Sequence, residues 1–418
     1  MLTTKPGGRG VDSGGPPSGG EARRPHDLVL DPAGLRPRVA VRGLTGASRA
    51  FLASWLQRRT GRTVLYVVPH GEAFEAARDD LEWFRGRGHT LAFPEPDNLP
   101  YDSSSPHPVI VAERLGTLAR LAAGETGVVV ATVRGVLQKL PRPERLGRAV
   151  LHLHVGSEVD PHALLERLVF LGYERLPEVE SVGTFARRGG ILDIYPVGET
   201  DPLRVEFDGD TISSLRRFDA GTQRSLEKLQ DARVLPRYEI VVEPGEGAAI
   251  AQRLRDAGDE AAKGGANLFH EGMERFAGLY DANLGSLLDY LPADALVVTD
   301  DPGALAGRAE ELSDGIARGF EDARTHYPLL STPEQLYLGA SAWTELLDTR
   351  PGADWMATIV EAGGTARWAK TLFVPCSPAE PLQRSMDKLK DHLTELAAKH
   401  ITSVLLCDNQ GQRDRLWE

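Results

Sequence analysis

The chain has 418 residues, 41% of them hydrophobic, and a formal net charge of −12. A chain of this length builds several domains, and its acidity disfavours binding to DNA or RNA unless a local basic patch opposes it. Cys376 and Cys407 are too few and too far apart for a zinc cluster or a disulfide scaffold. No apolar run approaches the roughly 18 residues of a membrane helix and no signal segment opens the chain, so we expect a cytoplasmic protein that contacts no membrane.

The first part of the chain alternates short apolar strands with amphipathic helices, after a tail rich in glycine and proline. The tail, residues 1–27, has almost no bulky apolar side chain and is predicted to be disordered. Alternating strands and helices are typical of a parallel sheet with helices on both faces. The sequence therefore predicts a doubly wound α/β unit over 28–150, with strands at 38–43, 63–69, 89–96 and 127–133 and helices at 47–59, 71–86 and 109–123.

After about residue 150 the hydrophobic pattern changes to a period of two residues. A helix at 160–171 precedes short alternating segments that Gly, Pro and Asp interrupt: GTFARR, GILDIYP, LRVEFDGD and TISSLRRFD. This alternation between turn residues favours antiparallel strands. We therefore expect a mostly antiparallel β (α+β) domain, residues 151–236, inserted into the parallel-sheet domain.

Helical segments return over 237–350 around one apolar strand, DALVVTDD at 294–301, which we expect to complete the parallel sheet. The stretch 349–366 is interrupted by Pro and Gly and resembles a domain boundary. A small α/β domain is predicted beyond it, over 366–418, from KTLFVP, a helix at 381–399, ITSVLLCDN and a helix that begins at 410. Because the chain stops inside that last helix, we expect it to be an N-terminal piece of a longer protein.

Residues 41–56, VRGLTGASRAFLASWL, have the outline of a phosphate-binding loop between a strand and a helix. In a working loop, G-x-x-x-x-G-K-[ST], the glycines let backbone amides surround phosphate, the lysine reaches its oxygens and the hydroxyl binds Mg²⁺. The corresponding positions here start at Gly43 and include Gly46, with Ser48 for the second glycine, Arg49 for the lysine and Ala50 for the hydroxyl residue. Ala50 cannot bind magnesium, and Arg49 is a bulkier fork than an ammonium. An ordinary connection between a strand and a helix is the alternative interpretation.

A second clue to a lost nucleotide site is the acidic pair that follows the strand at 296–299. In an active hydrolase of this type such a strand ends in an acidic pair, usually Asp-Glu, that handles Mg²⁺ and water. Asp300 and Asp301 stand there, followed by the helix-starting Pro302. Two altered motifs at matching places predict descent from an ATPase without its activity.

Other candidate chemistry is weaker. His152 and His154 alternate on a strand, but no Cys, Asp or Glu at ligand spacing joins them. The segment YDSSSPHP contains serine and histidine, but nothing in it orients a base or forms an oxyanion hole. We therefore predict no catalytic residue, no metal site and no cofactor in this chain.

An ordered series of segments resembles the N-terminal region of the bacterial transcription-repair coupling factors (Mfd), which is itself similar to the damage-recognition subunit UvrB. The resemblance covers about 28–418, and the series is more specific than any one segment. The segments are GLTGASRA, LPYDSSSPHPVIVAERLGTL, GVVVATVRGVLQ, GTFARRGGILDIYP, RVEFDGDTISSLRRFD and LLDYLPADALVVTDD.

The resemblance implies that 28–150 and 237–350 form one degenerate RecA-like domain and that the inserted 151–236 binds UvrA. It also implies that RNA polymerase and DNA are bound by parts of an ATP-dependent DNA translocase that follow residue 418, and that a C-terminal domain covers the UvrA-binding surface at rest. One departure concerns DNA: UvrB has a tyrosine-rich hairpin that clamps damaged DNA, whereas the equivalent stretch, 97–112, offers only Tyr101. Without stacking aromatics, damage reading by this chain has little support.

Strand alternation predicts which side chains of the inserted domain face outward. In LRVEF, Val205 and Phe207 take the core while Arg204 and Glu206 face solvent. In GGILDIYP, Asp193 lies with Ile191 and Tyr195 on the side opposite Leu192 and Ile194.

An arginine cluster beside an aromatic residue is typical of a binding surface, and its guanidinium groups suit a partner's carboxylates. The resemblance implies UvrA contacts at Arg188, Arg204 and Glu206, whereas Arg187, Arg175 and Phe185 match less closely. Alternatively, the arginines are solvated strand residues paired with the nearby acidic side chains Glu178, Glu180, Asp208 and Asp210.

The sequence thus predicts a non-catalytic adaptor that recruits UvrA for a transcription-repair coupling factor. An active ATPase or DNA helicase is the first rival and predicts ATP turnover, which Arg49 and Ala50 argue against. A module that binds DNA directly is the second rival and predicts a steeply salt-dependent affinity for duplex DNA, which the net charge argues against.

Overall fold

The computed structural model describes residues 38–86, 88–259, 268–356, 368–374, 376, 385–401, 403, 405 and 410–417. The predicted disordered tail and Cys407 lie outside these residues. The chain divides into two compact units between Cys376 and Ser377. The second unit contains two described helices, α12 (Met386–Ala398) and α13 (Gln410–Trp417), where the sequence predicts them. The segment ITSVLLCDN lies mostly outside the described residues.

The described strands of the first unit include seven that pair in parallel. They are β1 (Arg38–Arg42), β2 (Val64–Val68), β3 (Thr90–Phe93), β4 (Val128–Thr132), β15 (Leu296–Asp300), β16 (Gly352–Met356) and β17 (Trp368–Phe373). Their order across the sheet is β17-β1-β16-β15-β2-β4-β3. Strand β15 pairs in parallel with β2, so the prediction that 294–301 completes the sheet is confirmed.

Helices cover both faces of this parallel sheet. Alternate residues of β2 enter different cores, Leu65 and Val67 on one face, Val64 and Tyr66 on the other. The second core contains α1 (Ser48–Thr60) and α2 (Gly71–Arg85), and the first contains α3 (Pro108–Ala122). Because both faces are buried, the central strands are continuous apolar runs, as expected for a parallel sheet.

The predicted boundary at 349–366 and the assignment of KTLFVP to a separate domain are wrong. Strand β16 lies inside the sheet between β1 and β15, and β17 pairs with β1 at the sheet edge. Gly352 lies so close to the carbonyl oxygen of Val297 that no Cβ fits there. The buried Asp354 is paired with Arg38, whose Nε lies 3.0 Å from Asp354 Oδ1. Because Gly352 and Asp354 interrupt the apolar pattern of the core strand β16, the sequence predicts a linker there.

A mostly antiparallel sheet follows the helix α6 (Pro161–Phe170). Its six described strands are β7 (Glu174–Arg175), β8 (Thr184–Arg188), β9 (Ile191–Ile194), β10 (Leu203–Asp208), β11 (Thr211–Phe218) and β12 (Ser225–Leu229). They lie in the order β12-β11-β10-β9-β8-β7, and only β7 and β8 pair in parallel. The predicted fold class, a parallel α/β sheet with an inserted, mostly antiparallel sheet, is confirmed.

Short elements connect the two sheets. In a separate ribbon, β6 (Leu151–His154) pairs with β13 (Asp231–Val234), and it alternates buried leucines with exposed histidines. The other described elements are α4 (Val133–Leu137), β5 (Lys139–Leu140), α5 (Pro143–Ala149), α7 (Gly247–Asp256), α8 (Ala277–Tyr280), β14 (Gly285–Ser286), α9 (Pro302–Ala323), α10 (Pro333–Leu336), α11 (Ala340–Thr349) and the 3-10 helices Met273–Phe276 and Leu287–Tyr290. None of the described helices combines the length and apolar character that a bilayer crossing needs.

Candidate functional site

The loop between β1 and α1 occupies the place of a phosphate-binding loop, and its amide groups are used within the loop. Gly43 and Gly46 have φ angles of 84° and 50°, in the left-handed region that favours glycine. The amide of Thr45 donates to Ser48 Oγ at 2.9 Å. The amides of Ser48 and Arg49 donate to the carbonyls of Thr45 and Gly46, at 3.2 and 3.3 Å. These donors are therefore engaged with the loop itself.

The first glycine of the loop is covered by the chain that follows β17. The amide of Val374 donates to the carbonyl of Arg42 at 2.9 Å. A Cβ at Gly43 would collide with the carbonyl oxygen of Val374 and would lie 2.9 Å from the ring of Phe373. Gly43 is therefore required because the backbone of Val374 passes close to it. This contact explains the glycine without a bound phosphate.

Arg49 and Asp300 form an ion pair where a lysine and a metal-binding carboxylate would stand. Arg49 Nη1 lies 2.8 Å from Asp300 Oδ1, and the hydroxyl of Tyr66 donates to Asp300 Oδ2 at 3.0 Å. The side chains of Arg49 and Asp300 are 31% and 7% exposed. Burial raises the pKa of Asp300, although Arg49 and the Tyr66 hydrogen bond act in the opposite direction. Ala50 is buried and brings no hydroxyl to this place.

The two acidic residues after the strand do different things. Asp300 ends β15 and faces Arg49, whereas Asp301 has a left-handed φ of 57° and caps α9, its side chain accepting from the amide of Ala304 at 3.2 Å. Asp301 therefore holds the start of a helix. Within the described residues, no group of three or more His, Cys, Asp or Glu side chains is placed to hold a metal ion.

One face of the six-stranded sheet points away from the first core, the one that contains α3, and we call it the outer face. It is defined by five residues that are neighbours across β8 to β12: Ala186, Asp193, Arg204, Arg216 and Lys228. The opposite face is apolar and buried, as Leu192, Val205 and Leu215 show. The predicted alternation of β9 and β10 is thus confirmed.

Asp193 is the centre of what we call the arginine cluster, made of Asp193, Arg188, Arg204, Phe218 and Gln223. Its side chain is 1% exposed. Arg204 binds it twice, with Nε 2.7 Å from Oδ1 and Nη2 2.9 Å from Oδ2. Arg188 Nη2 lies 3.1 Å from Oδ2. One buried carboxylate therefore holds two guanidinium groups.

The two arginines of the cluster differ in how far their side chains are exposed and in how many contacts hold them. Arg204 lies over the ring of Phe218, 4.2 Å from its centroid, and also donates to Gln223 at 3.0 Å. The hydrogen bond to Asp193 raises the pKa of Arg204 against the effect of burial. The side chain of Arg188 is 49% exposed and lies 3.8 Å from Glu178. Arg188 is therefore the more accessible of the two.

Comparison with known proteins gives the chain a family. The family model of the UvrB interaction domain matches residues 151–239. Transcription-repair-coupling factors of Myxococcus xanthus, Escherichia coli (strain K12) and Bacillus subtilis (strain 168) are 31%, 30% and 29% identical over 340, 307 and 301 residues. These alignments cover 75%, 71% and 67% of this chain and 28%, 26% and 25% of the relatives. The chain belongs to the transcription-repair coupling factor family. It spans little more than a quarter of these relatives' length, and it corresponds to their N-terminal region.

Within this family member, the structure brings together three of the six residues predicted to bind a partner. Arg188, Arg204 and Glu206 lie on the outer face, and Glu206 accepts from Arg216 at 2.6 Å. The alternative interpretation, pairing with nearby acidic residues, holds in part, because Glu178 lies close to Arg188. The dominant partner of both arginines is instead Asp193.

The other three predicted residues lie elsewhere. Phe185 is completely buried in the main core, so the expectation that it lies beside the arginines on the surface is wrong. Arg187 is opposite Leu192 in register, so it shares the inward side of β8, and its Nε donates to the carbonyl of Gly189 at 3.3 Å. Arg175 is exposed on the edge strand β7. Alternation along β8 separates positions 185 and 187 from 188, a signal that the sequence already contained.

Asp193, Phe218 and Gln223 are the cluster residues that sequence reasoning missed as site residues. Alternation places Asp193 on the outer face, but its pairing with Arg204 depends on the register between β9 and β10. Gln223 reaches the arginines from the turn after β11, where it has a left-handed φ of 59°. No local pattern in the sequence predicts that turn.

Tyr101, the only tyrosine in the stretch 97–112, is buried. Its hydroxyl donates to the carbonyl of Ser331 at 2.7 Å, and its ring contacts Phe320 at a centroid distance of 5.6 Å. In this position Tyr101 stabilises the packing against α9 and offers no face to a base.

Proposed function

We propose that this N-terminal region of a transcription-repair coupling factor is a non-catalytic adaptor that recruits UvrA through the outer face of its six-stranded sheet. The arginine cluster carries the proposal, because it lies within the segment that matches the UvrB interaction domain. Other parts of the parent protein then bind RNA polymerase and DNA. The adaptor brings excision repair to a stalled polymerase.

The charge of the outer face suits an acidic partner surface. Arg188, Arg204, Arg216 and Lys228 lie there against Asp193 and Glu206, in a chain whose formal net charge is −12. A locally basic face on an acidic protein favours association with carboxylates and raises the association rate. Arginine forks add bidentate contacts that fix the orientation of the partner.

The absence of catalysis in the proposal is supported by the loop between β1 and α1. The amides of Thr45, Ser48 and Arg49 are engaged within the loop, Arg49 is paired with Asp300, and Ala50 has no hydroxyl for magnesium. Phosphate binding by such a loop needs free amides and a flexible ammonium. We expect no ATP turnover by the chain, measured as phosphate release with Mg²⁺ present; turnover that an Arg49→Ala variant abolishes would contradict the proposal.

The docking site is tested by UvrA capture on the immobilised chain. An Arg188→Ala, Arg204→Ala double variant is expected to lose about 100-fold in affinity, because two central arginine contacts disappear. The matched control is Arg308→Ala, Arg324→Ala, which removes two exposed arginines at α9 that pair with Glu311 and Glu321. The control is expected to bind UvrA like the wild type.

The single variant Arg188→Ala separates binding from folding. It keeps the Arg204–Asp193 pair and removes a half-exposed side chain, so its melting temperature is expected to stay close to that of the wild type. Its affinity for UvrA is expected to fall about tenfold. Wild-type affinity in both the single and the double variant would remove UvrA docking from this face.

A further inference from the structure

Asp193 is a buried carboxylate on a sheet face that otherwise points outward. Its register neighbours are Ala186 on β8 and Arg204 on β10. Ala186 and Phe218 are also buried, at 1% and 0% exposure, and among the described residues they belong to neither of the two main cores. These three residues form a small floor beneath the arginines, separate from the core that stabilises the sheet.

A carboxylate in this floor fixes the guanidinium groups above it. Burying an unpaired charge is unfavourable, but three hydrogen bonds from Arg188 and Arg204 compensate the charge of Asp193. The bonds also restrict two long side chains that are otherwise free to rotate. Restricting them before a partner arrives lowers the entropy loss on binding.

We propose that Asp193 is a positioning residue for UvrA docking, an inference that rests on the function proposed above. Asp193 holds Arg204 over the ring of Phe218 and also holds Arg188, whose side chain is half exposed. Arg188 has looser contacts, at 3.5 Å to Gln223 and 3.8 Å to Glu178. A partner carboxylate exchanges with these looser contacts while the bonds to Asp193 remain.

Two explanations of how Asp193 affects docking, its negative charge and its positioning of the arginines, predict opposite changes in the affinity for UvrA when Asp193 is replaced. An Asp193→Asn change makes the outer face more positive by one charge, so simple attraction to acidic groups would tighten binding. The same change removes the acceptor strength that holds both arginines, so positioning predicts weaker binding. The sign of the change therefore distinguishes the two explanations.

The experiment measures the affinity of UvrA for the whole chain by surface plasmon resonance at two salt concentrations. Asp193→Asn is expected to weaken binding about tenfold, mainly through faster dissociation. Asp208→Asn is the matched control, because Asp208 is exposed at the end of β10 and the change in charge is the same. The control is expected to bind as tightly as the wild type or slightly more tightly.

A second variant covers the case in which Asp193→Asn does not fold. Arg204→Lys keeps the positive charge but loses the two-pronged bond to Asp193. It is expected to weaken UvrA binding at least fivefold while the chain stays folded, which cooperative thermal melting checks. Combined with Asp193→Asn, where that variant folds, it is expected to cost little more than either change alone.

The outcomes separate this inference from the function on which it rests. If the wild-type chain does not bind UvrA, the proposed function fails. If the wild type binds and Arg188→Ala binds about tenfold more weakly, but Asp193→Asn and Arg204→Lys bind as tightly as the wild type, the positioning role is overturned and the docking site stands.

Discussion

The altered phosphate loop and the outer face of the six-stranded sheet are both built on an arginine bound to a buried aspartate. In the first region Asp300 takes one bond from Arg49 and another from Tyr66, and Arg49 and Asp300 line a cleft in front of the strand. In the second, Asp193 takes three bonds from two arginines and leaves one of them half exposed. The same pairing thus holds Arg49 within a cleft and presents Arg188 on a sheet face.

The architecture of each sheet explains the difference. The carboxyl ends of parallel strands meet at one edge, where β1 and β15 bring Arg49 and Asp300 together beneath neighbouring helices. An antiparallel sheet can leave a whole face without a covering layer, so its outward residues remain available to a partner. At such an edge a few bonds engage the charged side chains, whereas an open sheet face leaves its outward side chains accessible.

The pair Arg38–Asp354 is an arginine bound to an aspartate in which both side chains are buried, so it is the extreme case of this pairing. Burial alone would raise the pKa of Asp354, but Arg38 and hydrogen bonds from Thr299 and Trp368 hold that pKa below its usual range. Asp354→Ala leaves the charge of Arg38 buried and is expected to lower the free energy of unfolding by about 3–5 kcal/mol. Urea denaturation measures it, with the exposed Asp208→Ala as control. A loss below about 1 kcal/mol would show that enclosure is not what makes these pairs structural.

Glu274 lies among other acidic side chains, so it contrasts with the aspartates that pair with arginines. Burial raises the pKa of Glu274 to about 7, with Glu239 and Glu271 acting in the same direction, while its side chain accepts from Ser105 Oγ at 2.8 Å. Because the folded pKa lies above the unfolded one, the folded state binds more protons between about pH 4.5 and 7, and stability falls as pH rises through this range.

Glu274→Gln removes this titration and is expected to flatten the fall in stability. Relative to the wild type, the variant gains about 3 kcal/mol between pH 4.5 and pH 8. Thermal or urea unfolding across this range measures the difference, with Glu310→Gln, a change at an exposed position on α9, as control. Parallel pH profiles for wild type and variant would contradict the raised pKa.

The half-exposed pair Arg49–Asp300 is expected to have an intermediate effect. Arg49→Ala leaves Asp300 with Tyr66 alone and should lower the free energy of unfolding by about 1–2 kcal/mol, since part of the lost bond is replaced by water. Arg308→Ala, which breaks an exposed pair on α9, is expected to cost less than about 0.5 kcal/mol. Equal costs for the two variants would mean that Arg49 is an ordinary surface residue.

Asp301 distinguishes the two acids at the end of β15, and its glycine variant is expected to give the smallest effect. Asp301→Ala removes a helix cap and places alanine at a left-handed φ, which is expected to cost about 1–2 kcal/mol. Asp301→Gly tolerates that φ and is expected to cost only about 0.5 kcal/mol. Calorimetric melting measures both variants. If glycine were as costly as alanine, the left-handed backbone of Asp301 would not explain its role.

Much of the fold follows from periodicity, because continuous apolar runs and period-two alternation identify the two kinds of sheet. The exception is 349–373, where the glycine and aspartate of β16 break the apolar pattern, since the neutralising Arg38 lies more than 300 residues away in the chain. The position of the loop between β1 and α1 also follows from its sequence pattern. The ion pair between Arg49 and Asp300 does not, because these residues meet only through the strand order.

The contacts on the outer face are predicted less completely than the fold. Alternation places Arg204, Glu206 and Asp193 outward and also assigns Phe185 inward, so that error came from weighing composition above alternation. The bonds between Asp193 and the arginines depend on strand register and on the turn at Gln223, which are tertiary properties.

Hydrogen–deuterium exchange of the whole chain, with saturating UvrA and separately with saturating Mg²⁺-ATP, distinguishes a UvrA-binding adaptor from a nucleotide-binding enzyme. We expect UvrA to slow exchange in β8 to β11 and the turn at Gln223, and ATP to leave exchange at residues 43–50 and 296–301 unchanged. Slower exchange at 43–50 with ATP, or UvrA protection that avoids the six-stranded sheet, would contradict this expectation.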